Sequence, residues 1–423
     1  MKYSNNVVAT FAKNMLCPPS LQNGAGSDIA SQGLSDFQAY RYRHSSVFYH
    51  GDSSCLEEEL MDNIQASLKV SLMKGEKTPL LLLSDGKDSM SLAVAFSELN
   101  VCCDTLTFLR NADDQLKSYI ESVALRLGHK PYFVTVDEIL KSYDSETFLK
   151  ACGEMDTPVL DQAFFFFLFG IKSFFHKQAN KPNNYVIFDG LGNDEYLGYL
   201  PSRNQLASYK ISRFGAWKLI PNIAKSLRWY VRSPSESHGD LSALACFFEL
   251  PESLDLNKYF SRIPHSSKAL DFIDFRAFSR GSFHDHQCMM GKTIAAAKCF
   301  RSSVVFPWLY KPLADYCFNL PVEQKFDFEK LKNKIPLRMM LRNKIGWNQE
   351  KRGVDLYFDL DMDFFRRRVI CEFVPEHIVS KIDSNLFLPR YVKKRAYLEL
   401  LNFYGYCKAH GYDNRDIEKI LMG

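Results

Sequence analysis

The feature that most constrains the fold is a series of short, continuously apolar segments that alternate with helical patterns. These segments cover residues 80–83, 102–108, 131–136 and 185–189. Continuous apolar strands that alternate with helices are typical of a parallel sheet with helices packed on both faces. The chain is therefore predicted to contain an α/β domain with a parallel sheet.

Three parts follow from the pattern along the chain. Residues 1–55 are rich in Ser, Asn, Gln and Gly and are expected to form an irregular arm or small cap. Residues 56–205 hold the alternating strands and helices, and open with apolar residues at every fourth position. Strand patterns fade after about residue 200, so residues 206–423 are expected to be mostly helical.

Composition excludes several classes of protein. The 423 residues are 46% hydrophobic and 24% charged, and their net charge of +4 is too mild to indicate binding to nucleic acid or to an anionic membrane. The longest apolar stretch, 163–171, is too short to span a bilayer. The chain opens without a secretory signal, and its eleven cysteines include no C-x-x-C pair. A cytoplasmic protein with reduced thiols is expected.

A polar loop follows the apolar segment 80–83. It consists of Ser84, Asp85, Gly86, Lys87, Asp88 and Ser89. Backbone N–H groups and the positive end of the following helix make such a loop a phosphate site, and Asp88 can hold a Mg²⁺ that bridges phosphates. The plainer alternative is a solvated turn in which Asp88 or Ser89 caps the helix.

A second loop, "YVIFDGLGNDEYLGY" over 185–199, has the same character. It carries Gly190, Gly192, Asp194 and Glu195 after another apolar segment. Ligands bind at the carboxyl ends of strands in parallel sheets, so two such loops can place two carboxylates around one metal ion. The alternative is a turn that merely reverses the chain.

Together the loops resemble the S-G-G-x-D-S and S-G-x-G-x-D-E-x-x-G-G-Y motifs of the synthetase domain of asparagine synthetases and their relatives. Their order and spacing agree with that family. Later segments, "CFRSSVVFPWLYKPLADYCFNLP" (299–321), "LKNKIPLRMML" and "EKRGVD" (350–355), resemble its E-x-R-x-P-F-L-D-x-x-L, K-x-x-L-R and R-x-K-x-G-F signatures. The resemblance covers about residues 56–360.

The resemblance implies a PP-loop fold of the adenine nucleotide alpha-hydrolase type, with ATP and Mg²⁺ as cofactors. The 56–205 domain would bind ATP, and the 206–423 region would bind substrate, with 290–355 returning to the active site. Asp88 and Asp194 match the family's Mg²⁺ ligands, and Lys351 matches its catalytic lysine. The first loop from Ser84 to Ser89, with Gly190 and Gly192, would bind the nucleotide, and Glu195 is a further catalytic candidate.

Three departures bear on activity. Asp85 replaces the first family glycine and adds a negative charge beside the phosphates, although Asp tolerates left-handed backbone geometry. Leu191 stands where the family carries a Glu or Tyr that assists acyl transfer, and a leucine cannot accept a proton. Either the nucleophile needs little help, or a nearby acidic group such as Glu195, Asp189 or Glu154 supplies the base. In the segment that resembles E-x-R-x-P-F-L-D-x-x-L, the family's Glu, Arg and Asp are replaced by Ser303, Val305 and Tyr310. These replacements argue against ordinary asparagine synthesis.

The resulting prediction is an AMP- and pyrophosphate-forming amide or lactam synthetase that acts on a small-molecule or peptide substrate. Glutamine-dependent members of the family carry an N-terminal glutaminase domain whose nucleophile is the cysteine after Met1. Here that residue is Lys2, and 55 residues are too few for such a domain. The amine would be free ammonia, part of the substrate, or the product of a separate donor protein. Two alternatives remain: a thiolating or RNA-modifying PP-loop enzyme, suggested by Lys87, and a non-catalytic scaffold subunit, suggested by Asp85 and Leu191.

Two further stretches have plainer interpretations. "HDHQC" (284–288) is predicted to be a polar loop rather than a metal site, because its two histidines are too close to share one helix face. The basic aromatic stretch 213–232 is predicted to be an amphipathic helix over the site rather than a surface for RNA or peptide.

Overall fold

The computed structural model describes residues 3–15, 17, 56–73, 77–178, 182–198, 242–248, 250, 280–327, 329–348, 356–385 and 388–422. Within these ranges the central element is a five-stranded sheet whose strands all run parallel. The strands are β1 Thr78–Leu82, β2 Asp104–Leu109, β3 Lys130–Thr135, β4 Tyr185–Phe188 and β5 Ser303–Val305. The predicted α/β parallel-sheet class is confirmed.

The strand order is β3-β2-β1-β4-β5. The chain builds outward from β1 to β3 and then crosses to the other side of β1 to add β4 and β5. Leu80 of β1 lies opposite Asp104 of β2 and Ile187 of β4. The order of the strands therefore reverses between β1 and β4, and ligands of open parallel sheets bind beside such a reversal.

Helices cover both faces of the sheet and make up most of the chain after β5. Their bounds are α1 Asn5–Asn14, α2 Leu56–Leu72, α3 Lys87–Glu98, α4 Asp114–Arg126, α5 Val136–Lys141, α6 Ser145–Gly153, α7 Phe164–Lys177, α8 Met290–Cys299, α9 Lys311–Asn319, α10 Val322–Lys325, α11 Ile335–Ile345, α12 Met362–Phe365, α13 Cys371–Phe373, α14 Glu376–Ser384, α15 Arg390–Ala409 and α16 Asn414–Met422. No helix in the described part of the chain has the length and apolarity that crossing a membrane requires.

Each face of the sheet has its own apolar core. Helices α6, α7, α8 and α15 contribute to the core that includes Leu82 and Ile187. Helices α2, α3, α4, α9 and α11 contribute to the core that includes Leu81 and Phe188. Successive strand residues point to opposite faces, so continuously apolar strands supply both cores.

The Phe-rich segment forms α7 because it is apolar on nearly every side and can be buried on nearly every side. Phe164, Phe165, Phe166, Phe169 and Phe174 are all buried there. By contrast α2 is amphipathic, as its four-residue periodicity predicts, and it packs against α3, α9 and α11.

The structure differs from the sequence pattern in three places. Strand β5 and the two-residue antiparallel strands β6 (Phe326–Asp327) and β7 (Lys332–Asn333) lie beyond residue 200, where strand patterns fade and mostly helix is expected. Helix α1 lies in the predicted irregular arm and packs against α16, because its buried side chains give it a tertiary partner. Residues 280–289 form a π-helix rather than a polar loop.

Candidate active site

The first predicted loop lies at the carboxyl end of β1 and leads directly into α3. The helix begins at Lys87, and its N-cap is Gly86 rather than Asp88 or Ser89. Gly86 has no side chain with which to accept from the first-turn N–H groups. These N–H groups and the positive end of the helix are therefore available to an anionic ligand.

Hydrogen bonds within the loop fix its shape. The hydroxyl of Ser89 accepts from the backbone N–H of Ser84 at 3.1 Å and lies 3.1 Å from the Ser84 hydroxyl. The Ser84 hydroxyl also accepts from the N–H of Gly86 at 3.2 Å. Asp85 is buried, its carbonyl accepts from the indole N–H of Trp347 at 3.0 Å, and its φ is not positive. The turn thus forms without the left-handed geometry considered for Asp85.

The second loop lies at the carboxyl end of β4 and touches the first loop backbone to backbone. A Cβ atom on Gly190 would lie 2.8 Å from the backbone nitrogen of Ser89 and 3.0 Å from the carbonyl carbon of Asp88. Any other residue at this position would push the two loops apart. Gly192 has a φ of +112°, a conformation that L side chains rarely adopt. The two glycines are needed for this geometry of the site.

Lys334 joins the two predicted metal ligands. Its ammonium nitrogen lies 2.9 Å from Asp88 Oδ1 and 2.5 Å from Asp194 Oδ1. It also donates to Asn193 Oδ1 at 2.5 Å, and Asn193 Nδ2 donates to Asp88 Oδ1 at 2.8 Å. The Lys334 side chain is 1% exposed, whereas those of Asp88 and Asp194 are 29% and 26% exposed. The two strand-end carboxylates therefore converge around a buried ammonium group.

The charged groups in this cluster shift one another's pKa values. Loss of hydration raises the pKa of Asp88, but the Lys334 and Lys87 ammonium groups outweigh it and lower the pKa to about 2. Burial lowers the pKa of Lys334, and the carboxylates of Asp194 and Asp88 more than reverse that effect. Burial, reinforced by the neighbouring Lys334, lowers the pKa of Lys87 to about 8. Lys87 is thus a buried cation that an added negative charge would stabilise.

The donor set fits Mg²⁺ in the kind and number of its ligands. Mg²⁺ in nucleotide sites typically takes one or two carboxylates together with phosphate oxygens and water. Asp88 and Asp194 supply two carboxylates, and each keeps a partly exposed side beyond its contact with Lys334. Among the described residues no set of three or more His, Cys, Asp or Glu side chains is arranged to hold a metal ion.

A cavity of about 260 Å³ lies over the carboxyl ends of the strands, next to this cluster. Between β2 and α4 its wall is mostly apolar, with Leu106, Phe108, Leu116 and Ile120. Ser84, Asp85, Gly86, Asp88, Ser89, Asp189, Gly190, Leu191, Ala163, Phe167, Lys292 and Leu356 form much of the remaining wall. An apolar cleft with a few polar groups at one side is the usual form of a small-molecule site.

Buried charges lie where the cavity meets α7 and α8. Lys292 on α8 donates to Asp161 Oδ2 at 2.6 Å, and its ammonium lies 4.7 Å from the ring centroid of Phe167. Asp189, directly after β4, accepts from the hydroxyl of Thr293 at 2.7 Å and from the N–H of Leu191 at 3.2 Å. Burial raises the pKa of Asp189, and Thr293 and Lys292 oppose that shift.

The structure brings most, but not all, of the predicted site residues together. All of the first loop except Lys87 lines the cavity, and Lys87 lies close enough to Lys334 for that ammonium to help lower the pKa of Lys87. Gly190 also lines the cavity, and Gly192 packs against Leu309. Leu191 lines the cavity where the family's base would stand, whereas Glu154, at the end of α6, is not part of the wall.

Two of the predicted catalytic groups cannot be placed. Glu195 lies in the short 3-10 helix Asn193–Glu195, but its side chain is outside the described part of the structure. Lys351 and the basic aromatic stretch 213–232 lie outside the described residues altogether. Their predicted roles stay predictions.

Sequence reasoning missed two lysines that carry the electrostatics of the site. Lys334 is the lysine of the K-x-x-L-R match within "LKNKIPLRMML", so the sequence did contain a motif that pointed to it. Lys292 lies in "MGKTIAAAKC", whose alanines and threonine predict only a packed helix. Asp161 gave no signal either, because Lys292, to which it is paired, lies 131 residues further along the chain.

Comparison with known proteins adds no second line of support. No protein-family model matches this chain, and no curated protein sequence matches it. The resemblance to asparagine synthetases therefore rests on the motifs of the two loops and on their place in the fold.

Proposed function

We propose that the chain is an ATP-dependent amide or lactam synthetase that forms AMP and pyrophosphate. It would adenylate a carboxylate or amide oxygen of a small molecule or peptide and transfer the acyl group to an amine. The observation that carries this proposal is the convergence of Asp88 and Asp194 from two strand ends at the reversal point of a parallel sheet, beside a largely apolar cavity.

ATP fits this arrangement from both ends. The apolar wall between β2 and α4, which includes Phe108, Leu116 and Ile120, offers a surface for adenine. The first loop and the N-terminus of α3 offer N–H groups to the phosphates. The Lys87 and Lys334 ammonium groups place positive charge beside the same loop.

Asp88 and Asp194 would hold Mg²⁺ together with the phosphates. The ion would neutralise negative charge on the phosphate oxygens when it is bound. Lys334 would stay on the buried side of the two carboxylates and fix their separation. A buried ammonium next to departing pyrophosphate would also stabilise the charge that develops there.

The reaction balances with the groups named. A substrate oxygen attacks the α-phosphorus of ATP, the bond to the β-phosphate oxygen breaks, and pyrophosphate leaves. An amine then attacks the acyl carbon, the bond to the AMP oxygen breaks, and the amine loses a proton. The amine is free ammonia, an amine of the substrate, or the product of a partner protein.

The non-catalytic alternative has one specific observation in its favour. Lys334 and Lys87 supply two positive charges against the carboxylates of Asp88 and Asp194, so these four charges balance without a metal ion. A scaffold protein would keep such a cluster for stability alone. It would then bind no Mg·ATP, with or without extracts of the source cells.

The test is Mg·ATP binding by calorimetry, followed by pyrophosphate release with pooled carboxylates, peptides and amines. Asp88→Asn and Asp194→Asn are expected to abolish pyrophosphate release without unfolding the protein. The control is Asp156→Asn, whose side chain is 85% exposed and lies outside the cavity wall. Wild-type pyrophosphate release by either site variant would contradict the assignment of the two carboxylates.

A further inference from the structure

The buried charges at the α7 and α8 end of the cavity do not balance. Asp161, Asp189 and Lys292 are all buried. Lys292 is already matched, because its ammonium donates to Asp161, whose other oxygen accepts from the N–H of Ala163 at 2.8 Å. These contacts lower the pKa of Asp161 although burial raises it. One carboxylate, Asp189, has no directly paired cation among the described residues.

Asp189 can still accept hydrogen bonds from a ligand. A carboxylate has about four acceptor positions, and the contacts with Thr293 and Leu191 use two of them. Leu191, Phe167 and Ala163 line the same cavity with side chains that carry no N–H or O–H group, and the ammonium of Lys292, also on the wall, donates to Asp161. The wall therefore offers an acceptor to whatever binds there, on a side chain that is itself buried.

This chemistry selects one class of ligand. An unmatched carboxylate in a poorly hydrated site is stabilised either by a proton or by a cationic, N–H-bearing group. An anionic ligand would add a further negative charge beside Asp189 and Asp161, and the ammonium of Lys292 already donates to Asp161. His284 on the π-helix acts on Asp161, not directly on Asp189.

We infer that this end of the cavity binds the acyl acceptor, as ammonia or a primary amine, with Asp189 as its acceptor and general base. The inference rests on the proposed function and names the group that replaces the family's base at Leu191. As the amine nitrogen bonds to the acyl carbon, the carbon–oxygen bond to AMP breaks and AMP departs with that electron pair. Asp189 takes the proton that the nitrogen loses. Thr293 and the N–H of Leu191 hold the carboxylate in place.

Labelling with dicyclohexylcarbodiimide tests the site without knowledge of the substrate, because this apolar reagent reacts with protonated carboxyl groups in apolar surroundings. The full-length protein is labelled between about pH 5 and about pH 9, and the label is located by peptide mass spectrometry. Label is expected on Asp189 and not on Asp161, and it should decline as the pH rises. Label on Asp161 alone, or none on Asp189 at any pH, would overturn the inference.

Small cations test the ligand class. Methylammonium, which has N–H donors, is expected to slow labelling of Asp189 several-fold, whereas the same concentration of tetramethylammonium, which has none, should not. Thr293→Val removes a donor that favours the ionised form, so it should speed labelling. Asp156→Asn serves as the exposed control and should change nothing. Equal protection by both cations would rule out recognition of an N–H group.

Catalysis supplies a separate readout once a substrate pair is found. Asp189→Asn should keep Mg·ATP binding and pyrophosphate release but lose product by about 10²–10⁴-fold, whereas Asp189→Glu should restore part of it and shift the pH profile. If Mg·ATP does not bind at all, the proposed function fails while the labelling result still decides the amine site. If Mg·ATP binds but Asp189→Asn forms product normally, only the role of Asp189 fails.

Discussion

At the scale of single residues, the ammonium of Lys334 compensates the repulsion between the carboxylates of Asp88 and Asp194. Removing one partner of a buried ion pair typically costs about 3–5 kcal/mol, because the other charge is left uncompensated. Asp88 and Asp194 are about a quarter exposed, so we expect Lys334→Met to lower the free energy of unfolding by about 3 kcal/mol. Mg²⁺ alone should then raise the melting temperature of the variant more than that of the wild type, because it replaces the lost positive charge.

Two comparisons separate this effect from a general loss of packing. Lys330→Met removes an exposed cation that lies 3.6 Å from Asp327, and should cost less than about 1 kcal/mol. The double variant Lys334→Met/Asp194→Asn should be more stable than additivity of the single changes implies, because it removes a charge from each side of the pair. Strict additivity in urea unfolding would show that Lys334 and Asp194 do not interact.

Lys87 gives the site a pH dependence. Its pKa of about 8 means that the ammonium loses its proton above about pH 8 in the free protein. Bound triphosphate would favour the charged form and raise that pKa, so Mg·ATP binding should take up a proton above about pH 8. The affinity for Mg·ATP should fall by up to about tenfold for each pH unit above about 8. Below that pH the Lys87 proton is already in place, so it should not make the affinity depend on pH.

Calorimetry in buffers of different ionisation enthalpy measures the proton uptake directly. Lys87→Arg keeps the positive charge at every accessible pH, so it should bind Mg·ATP without proton uptake. Lys87→Met should bind weakly across the whole range. Wild-type proton uptake in the arginine variant would show that another group titrates.

At the scale of elements, α11 attaches to the first loop at both of its ends. Lys334, in a left-handed conformation, is its N-cap, and Trp347 follows Gly346 at its C-terminal end. The indole N–H of Trp347 donates to the carbonyl of Asp85. Trp347→Phe leaves that buried carbonyl without its donor, which typically costs about 1–3 kcal/mol, and should weaken Mg·ATP binding because the loop is less firmly held.

Trp308 provides the matched control for this change. It is fully buried in the core on the same face of the sheet, and its indole nitrogen has no hydrogen-bond partner among the described residues. Trp308→Phe therefore removes the same volume without removing a hydrogen bond. Both variants should lose stability in urea unfolding, but only Trp347→Phe should lose affinity for Mg·ATP.

Local pattern predicted the elements that depend on nearby residues. The apolar runs predict β1 to β4, and the placement of the two loops at adjacent strand ends follows from the parallel sheet. The partners of those loops could not be predicted, because Lys334 reaches Asp88 from 246 positions away along the chain. The π-helix over 280–289 was missed because its His284 and Asp285 look polar in the sequence but pair with each other in the interior.

At the scale of the whole molecule, the predicted sheet domain and the helical region both contribute to the core that includes Leu82 and Ile187. Phe165 on α7 contacts Phe365 at a centroid distance of 5.1 Å, and Phe148 on α6 contacts Phe373 at 5.1 Å. Helix α15 packs against α6. The fully buried Asn402 of α15 donates to the carbonyl of Asp161, beside the cavity. Asp161, which binds the cavity residue Lys292, is therefore held by a residue from the other side of the predicted boundary at residue 205.

This shared core leads to a prediction about cooperativity. Because α7 buries its phenylalanines partly against residues that follow 205, the full chain should unfold in one calorimetric transition. Phe365→Ala should lower the free energy of unfolding by about 3–5 kcal/mol. The melting temperature of the sheet should fall together with that of the rest of the chain. A fragment of residues 56–205 should expose α7 and aggregate. Two separate transitions, or a sheet that melts normally in Phe365→Ala, would show instead that the helical region is an independent domain laid against the ATP site.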